Sequence, residues 1–148
     1  MSQRLDYAKA SPGGFKAMLG LETHVKGSLD KVLLHLVKVR ASQVNGCAFC
    51  IDMHWHEARA DGVSEQRLYS LNAWREAPAS LYSDKERAAL GWTEALTLVS
   101  ITHAPDADFD AVRAQFGDKE LADLSWAITA INAWNRIAIG FRVVPPVR

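Results

Sequence analysis

The chain has 148 residues, enough for one domain with a sizeable core. Lys plus Arg and Asp plus Glu stand at 17 each, for a formal net charge of +0, so charge gives no basis for binding nucleic acid or an anionic membrane. No apolar stretch approaches the ~20 residues of a membrane span, and Met1-Ser2-Gln3-Arg4-Leu5-Asp6-Tyr7 lacks the apolar core of a signal peptide. A cytoplasmic location is the expectation.

Ser11-Pro12-Gly13-Gly14 opens a first helix that runs to about His24. Gly27-Ser28-Leu29-Asp30 reads as a turn, with Asp30 as the N-cap of the next helix. That helix, from Lys31 to about Val44, carries apolar Val32, Leu33, Leu36, Val37 and Val39 on one side. Lys31, His35, Lys38 and Ser42 form a polar stripe on the other. Asn45-Gly46 ends it, with Gly46 suited to a left-handed cap. A helix from about Cys47 to Asp61 follows, and Asp61-Gly62 stops it. Ser64 caps a short helix through Leu71, and Ser83-Asp84-Lys85-Glu86 fits a capping box before a helix to about Val99. Ala104-Pro105-Asp106 and Gly117-Asp118 begin two more, the last reaching from about Lys119 to Phe141. No run of alternating β-branched residues is present, so residues 1–148 read as one all-α domain. The expected architecture is a compact bundle of about six to seven helices.

Cys47 and Cys50 are the two cysteines of the chain. A close pair in a reducing compartment reads as redox-active or metal-binding rather than as a structural staple. At a helix start, residues three apart have β-carbons roughly 5–6 Å apart. A disulfide needs about 3.5–4.5 Å, so the first turn must adjust locally. The free amides and the positive end of the helix dipole favour a thiolate there. Helical phase then sorts the nearby histidines. His54 lies about 40° from Cys50 and about 20° from Cys47, whereas His56 is about 240° from Cys50. His54 is therefore the candidate base. Glu57 can orient the His54 ring, although a solvent-facing role is the favoured reading. A zinc site is a weaker alternative, because Cys47, Cys50 and His54 would need a fourth ligand from distant His24, His35 or His103. No metal and no cofactor are expected. His56 and His103 read as surface residues.

The run Arg40-Ala-Ser-Gln-Val-Asn-Gly-Cys-Ala-Phe-Cys-Ile-Asp-Met-His54 resembles the core motif of the alkylhydroperoxidase D-like proteins, within the carboxymuconolactone decarboxylase superfamily. Arg4-Leu-Asp-Tyr7, Glu65-Gln-Arg-Leu-Tyr69, Ala73-Trp-Arg-Glu-Ala-Pro78, Glu86-Arg-Ala-Ala-Leu90, Trp92-Thr-Glu-Ala-Leu96 and Ile131-Asn-Ala-Trp-Asn-Arg136 extend the resemblance over nearly the whole chain. It implies an all-helical domain that assembles into trimers or hexamers, and a thiol peroxidase or disulfide reductase. It further implies Cys50 as the peroxidatic cysteine, Cys47 as the resolving one and His54 as the proton relay. Implied partners are a peroxide, a dithiol donor such as a dihydrolipoyl protein, and a peroxiredoxin.

Similar proteins carry a relay glutamate twelve residues before the first cysteine, where this chain has His35. His35 is either a relay member or a solvated residue of the polar stripe. A histidine can shuttle protons but cannot supply a fixed negative charge. The rival functions are a lactone decarboxylase of the same superfamily and a non-enzymatic thiol redox sensor. Ser125, Thr129, Asn132 and Arg136 form a polar stripe on the last helix, read as ordinary hydrogen bonding before a site or subunit contact. Trp74, Trp92, Trp126 and Trp134 read as core or interface residues. Glu86 and Glu94 read as capping and surface residues.

Overall fold

Local capping chemistry sets the helix starts. The computed structural model describes residues 2–147. The Asp30 carboxylate accepts from Leu33 N at 2.9 Å, and Ser83 with Glu86 forms the reciprocal capping box, so orphan amides at both starts are satisfied. The α-helices among the described residues are α1 (Tyr7–Ala10), α2 (Pro12–Ser28), α3 (Lys31–Asn45), α4 (Ala48–Ala60), α5 (Glu65–Tyr69), α6 (Asp84–Thr97), α7 (Val99–Thr102), α8 (Asp106–Arg113) and α9 (Asp118–Gly140). A 3-10 turn spans Leu71–Ala73. No strand occurs among the described residues, so the all-α expectation holds. The extra helices relative to the sequence reading are the short α1 and α7. The 27–30 turn is shorter than expected, because Gly27 and Ser28 stay helical and Leu29, in extended conformation, ends α2.

The centre of the fold is α3, buried on nearly every side. Leu33 and Val37 pack with Ala89 and Trp92 of α6, Val112 of α8, and Leu121, Leu124 and Ile128 of α9. Leu36 and Val39 pack with Ala58 of α4, Leu68, Leu71, Trp74, Tyr82 and Leu90. Leu34 meets Val25 of α2 and Ala127 of α9. Full burial of such aliphatic side chains contributes roughly 1.5–3 kcal/mol each. The remaining stripe of α3 is covered too: His35, Lys38 and Ser42 are all buried. The solvated reading is therefore corrected for these three, while Lys31 of the same stripe stays exposed. A polar face of a central helix is buried when every group finds a partner.

Those partners tie α3 to its neighbours just before the cysteines. Asn135 of α9 is fully buried. It donates to Ser42 Oγ at 3.0 Å and accepts from Asn45 Nδ2 at 2.8 Å. Gly46 takes φ 70°, a left-handed cap that a Cβ would strain. Gly46 N donates to Gln43 O and Cys47 N donates to Ser42 O. The chain thus turns directly from α3 into α4. At the other end, α1 is held against the end of α9: Arg4 N donates to Phe141 O at 2.9 Å, and the Tyr7 and Phe141 rings stack at 6.1 Å. No helix among the described residues is long and apolar enough to cross a membrane.

Candidate active site

The Gly46 turn makes Cys47 the N-cap of α4 and puts Cys50 in its first turn. Cys47 Sγ accepts from Cys50 N at 3.3 Å, a thiol in the place of the usual hydroxyl cap. The two cysteines are joined in a disulfide with Cα atoms 5.3 Å apart, so the local adjustment the helix start must make is realised. Both are buried, and with Ala138 of α9 they form a small apolar cluster edged by Phe49 and Val143. Both sulfurs belong to the first turn of α4, where free amides and the helix dipole favour a thiolate.

His54 is buried one turn further along the same stripe. Its Nδ1 lies 2.8 Å from Glu57 Oε2. This hydrogen bond from His54 holds the Glu57 carboxyl below the ordinary carboxylate range, against the opposing effect of partial burial. An ionised carboxylate only accepts, so Nδ1 is the donor, and in a neutral imidazole Nε2 is then the basic nitrogen. Nε2 has no hydrogen-bond partner among the described residues. Glu57 stays solvent-exposed, as the sequence reading favoured, and orients the ring from the mouth of the site.

A cavity of about 260 Å³ opens beside these groups. Cys50, His54 and Glu57 line it from α4, Glu22 and Lys26 from α2, and Tyr7, Phe15, Met53 and Trp134 supply much of its apolar wall. Cys47 does not line it. The Phe15 and Trp134 rings meet edge to face at 6.1 Å. Its volume exceeds that of a peroxide O–O group, which leaves room for an organic substituent. Trp134 was expected in core or interface and is instead a wall of this cavity. Glu22 and the aromatic residues of the N-terminal segment were missed. Their signal in sequence was weak, since nothing in the chain order places α1 or α2 against α4.

His35 is placed elsewhere. Its Nε2 is 2.6 Å from Asp61 Oδ2, and Asp61, the C-cap of α4, also pairs with Lys31 at 2.5 Å. Hydrogen bonds from Lys31 and then His35 hold Asp61 below the usual carboxylate range. His35 is not in the wall of the Cys50 cavity; it fastens the far end of α4 to α3. His24 pairs with Asp123 and His56 with Asp52, so none of these rings converges on the cysteines. Among the described residues no group of three His, Cys, Asp or Glu is arranged to hold a metal ion.

The polar stripe of α9 serves hydrogen bonding. Ser125 accepts from Trp92 Nε1 at 3.0 Å, Asn132 donates to Thr97 Oγ1 at 3.0 Å, and Arg136 donates to Asn132. None of the four lines the Cys50 cavity. Glu86 keeps its capping role, but Glu94 is no surface residue. It accepts from Arg40 Nε at 2.8 Å, Trp74 Nε1 at 2.7 Å and Arg75 Nη2 at 2.7 Å.

Comparison with known proteins establishes the family and the fold. The sequence pattern of the carboxymuconolactone decarboxylase family matches residues 12–95, the stretch from α2 into α6 that contains the cysteines and His54. The uncharacterized protein YdfG of Bacillus subtilis is 44% identical over 140 residues, 94% of each chain. The crystal structure of ATU0492 from Agrobacterium tumefaciens, a protein of unknown function proposed as the antioxidant defence protein AhpD, is 51% identical. It superposes with a TM-score of 0.95, over 99% of this chain and 100% of that one. The debrominase Bmp8 shares the fold at 17% identity, with a TM-score of 0.81 over 94% of this chain and 74% of its own. The chain belongs to the carboxymuconolactone decarboxylase family and, by its likeness to ATU0492 across the whole fold, is an alkylhydroperoxidase D-like member of it.

Proposed function

We propose that this protein is a thiol-dependent oxidoreductase that reduces organic hydroperoxides through the Cys47–Cys50 couple, in antioxidant defence. The observation that carries the reading is the asymmetry of the pair: Cys50 faces a cavity shared with His54, while its disulfide partner Cys47 lies behind it. The description of ATU0492 points to the same broad role. In the proposed cycle, His54 Nε2 removes the Cys50 proton. The thiolate attacks the terminal peroxide oxygen, a S–O bond forms, the O–O bond breaks, and the alkoxide takes up a proton to leave as an alcohol. Cys47 then attacks the sulfenic acid, water departs and the disulfide closes. An external dithiol reopens it by exchange and is itself oxidised to a disulfide. A dihydrolipoyl protein is the proposed donor type, and a peroxiredoxin is a second partner within the same proposal. Exposed apolar Leu98, Val99, Ile101 and Trp126 fit the burial that a trimer or hexamer would bring.

The test is a single-turnover thiol titration. Fully reduced protein treated with one equivalent of cumene hydroperoxide should lose both thiols of each chain and yield cumyl alcohol. Retention of both thiols after the hydroperoxide is added would overturn the reading.

A further inference from the structure

The cavity wall holds a carboxylate that this cycle leaves unused. Glu22 pairs through Oε1 with Lys38 Nζ. The Lys38 side chain is 4% exposed and that of Glu22 is 15% exposed, so this is a buried ion pair between α2 and α3. The other oxygen, Glu22 Oε2, is shielded from solvent and has no hydrogen-bond partner. An ionised carboxylate oxygen in that position lacks the donors that normally offset its desolvation. A proton on Oε2 removes that deficit, while Lys38 stays paired with the first oxygen. Glu22 lines the same cavity as Cys50 and His54. Glu57, the other carboxylate there, is already committed to His54 Nδ1, and His35 is tied to Asp61 at the far end of α4.

We propose that Glu22 is the proton store of the thiol site. This rests on the peroxidase reading above and adds to it the residue that holds the proton while Cys50 reacts. The Cys50 proton passes to His54 Nε2 and on to Glu22 Oε2, giving a neutral carboxyl group and a thiolate. The thiolate attacks the terminal oxygen of the hydroperoxide, sulfur is oxidised by two electrons, and the O–O bond breaks. The departing alkoxide recovers the proton from Glu22 through His54 and leaves as the alcohol. The carboxylate is restored before the disulfide closes. Reduction of that disulfide by an external dithiol brings its own protons and makes no demand on Glu22. The two half-reactions therefore respond differently to loss of the carboxylate.

The experiment measures both half-reactions by stopped flow in wild type, Glu22→Gln and Glu22→Gln/Lys38→Met. The double variant keeps the buried charges balanced, so the measurement stands even where the single variant fails to fold. Oxidation by cumene hydroperoxide should slow by about 100-fold, the lower end of the range for a lost proton-transfer group. Reduction of the disulfide by dithiothreitol should stay close to the wild-type rate. Equal slowing of both halves would assign Glu22 a structural role and overturn the proposal, as would unchanged oxidation. A wild type that no hydroperoxide oxidises overturns the peroxidase reading itself, whereas a wild type and double variant oxidised alike overturn the proton store alone.

Discussion

Replacement of Cys50 by serine is expected to reduce hydroperoxide consumption to the rate of buffer alone, with the fold intact. A serine hydroxyl at this helix start is not ionised near neutral pH and has no accessible oxidation ladder, so both requirements of the first step vanish. The structure gives no reason for collapse, since the helix cap is made by Cys47 Sγ and not by Cys50. The complementary Cys47→Ser variant has a different expected outcome. It should consume one equivalent of hydroperoxide per chain and stop with Cys50 as a sulfenic acid, trapped by dimedone and read by mass spectrometry. Full turnover by Cys50→Ser would exclude Cys50 as the attacking sulfur. Exchange of the two phenotypes would reverse the roles given to the two cysteines.

The largest effect on stability is expected at Glu94. Its carboxylate accepts from Arg40, Trp74 and Arg75, and its removal leaves the mostly buried Arg40 guanidinium without its counter-ion. Breaking such a buried pair costs about 3–5 kcal/mol, so Glu94→Ala should lower the denaturation midpoint strongly. The pH dependence follows from the sign of the shift. Burial pushes the Glu94 pKa up, but the hydrogen bonds from Trp74, Arg75 and Arg40 outweigh it and leave the carboxyl below its ordinary 4.5. A depressed folded pKa contributes stability that is fully present above the unfolded value and is lost as pH falls through the folded one. The Glu94 contribution should therefore hold at neutral pH and decline below about 4.5. Urea melts of wild type and Glu94→Gln across that window should converge toward acid. Parallel curves at all pH values would show that charge is not what Glu94 contributes.

What could be read in the sequence was local. The caps at Asp30 and Ser83 and the left-handed Gly46 are signals a few residues long, and each sits where its chemistry predicts. The common stripe of Cys47, Cys50 and His54 follows from helical period alone and reappears as a buried face of α4. The missing pieces are long-range. The polar residues of α3 look solvated in sequence because the pattern does not say that α2 and α4 will supply Glu22 and Asp61 as partners. Position 35 matches a spacing in the family, yet its side chain is spent on the C-cap of α4. Trp134 and Phe15 belong to the cavity because α1 and α2 fold against the end of α9, a docking that no pattern within any one helix encodes. Glu94 was read as exposed because a lone acid on an amphipathic helix usually is; three donors from other segments bury it.

Sustained catalysis separates the proposed enzyme from a thiol sensor that oxidises once. The decisive measurement is steady-state consumption of cumene hydroperoxide by the wild-type protein with excess dithiothreitol as donor, scored as equivalents of alcohol formed per chain. Continuing turnover is expected, with alcohol formed in step with donor oxidised and abolished in Cys50→Ser. Alcohol formation that halts at one equivalent per chain while the donor remains would contradict it.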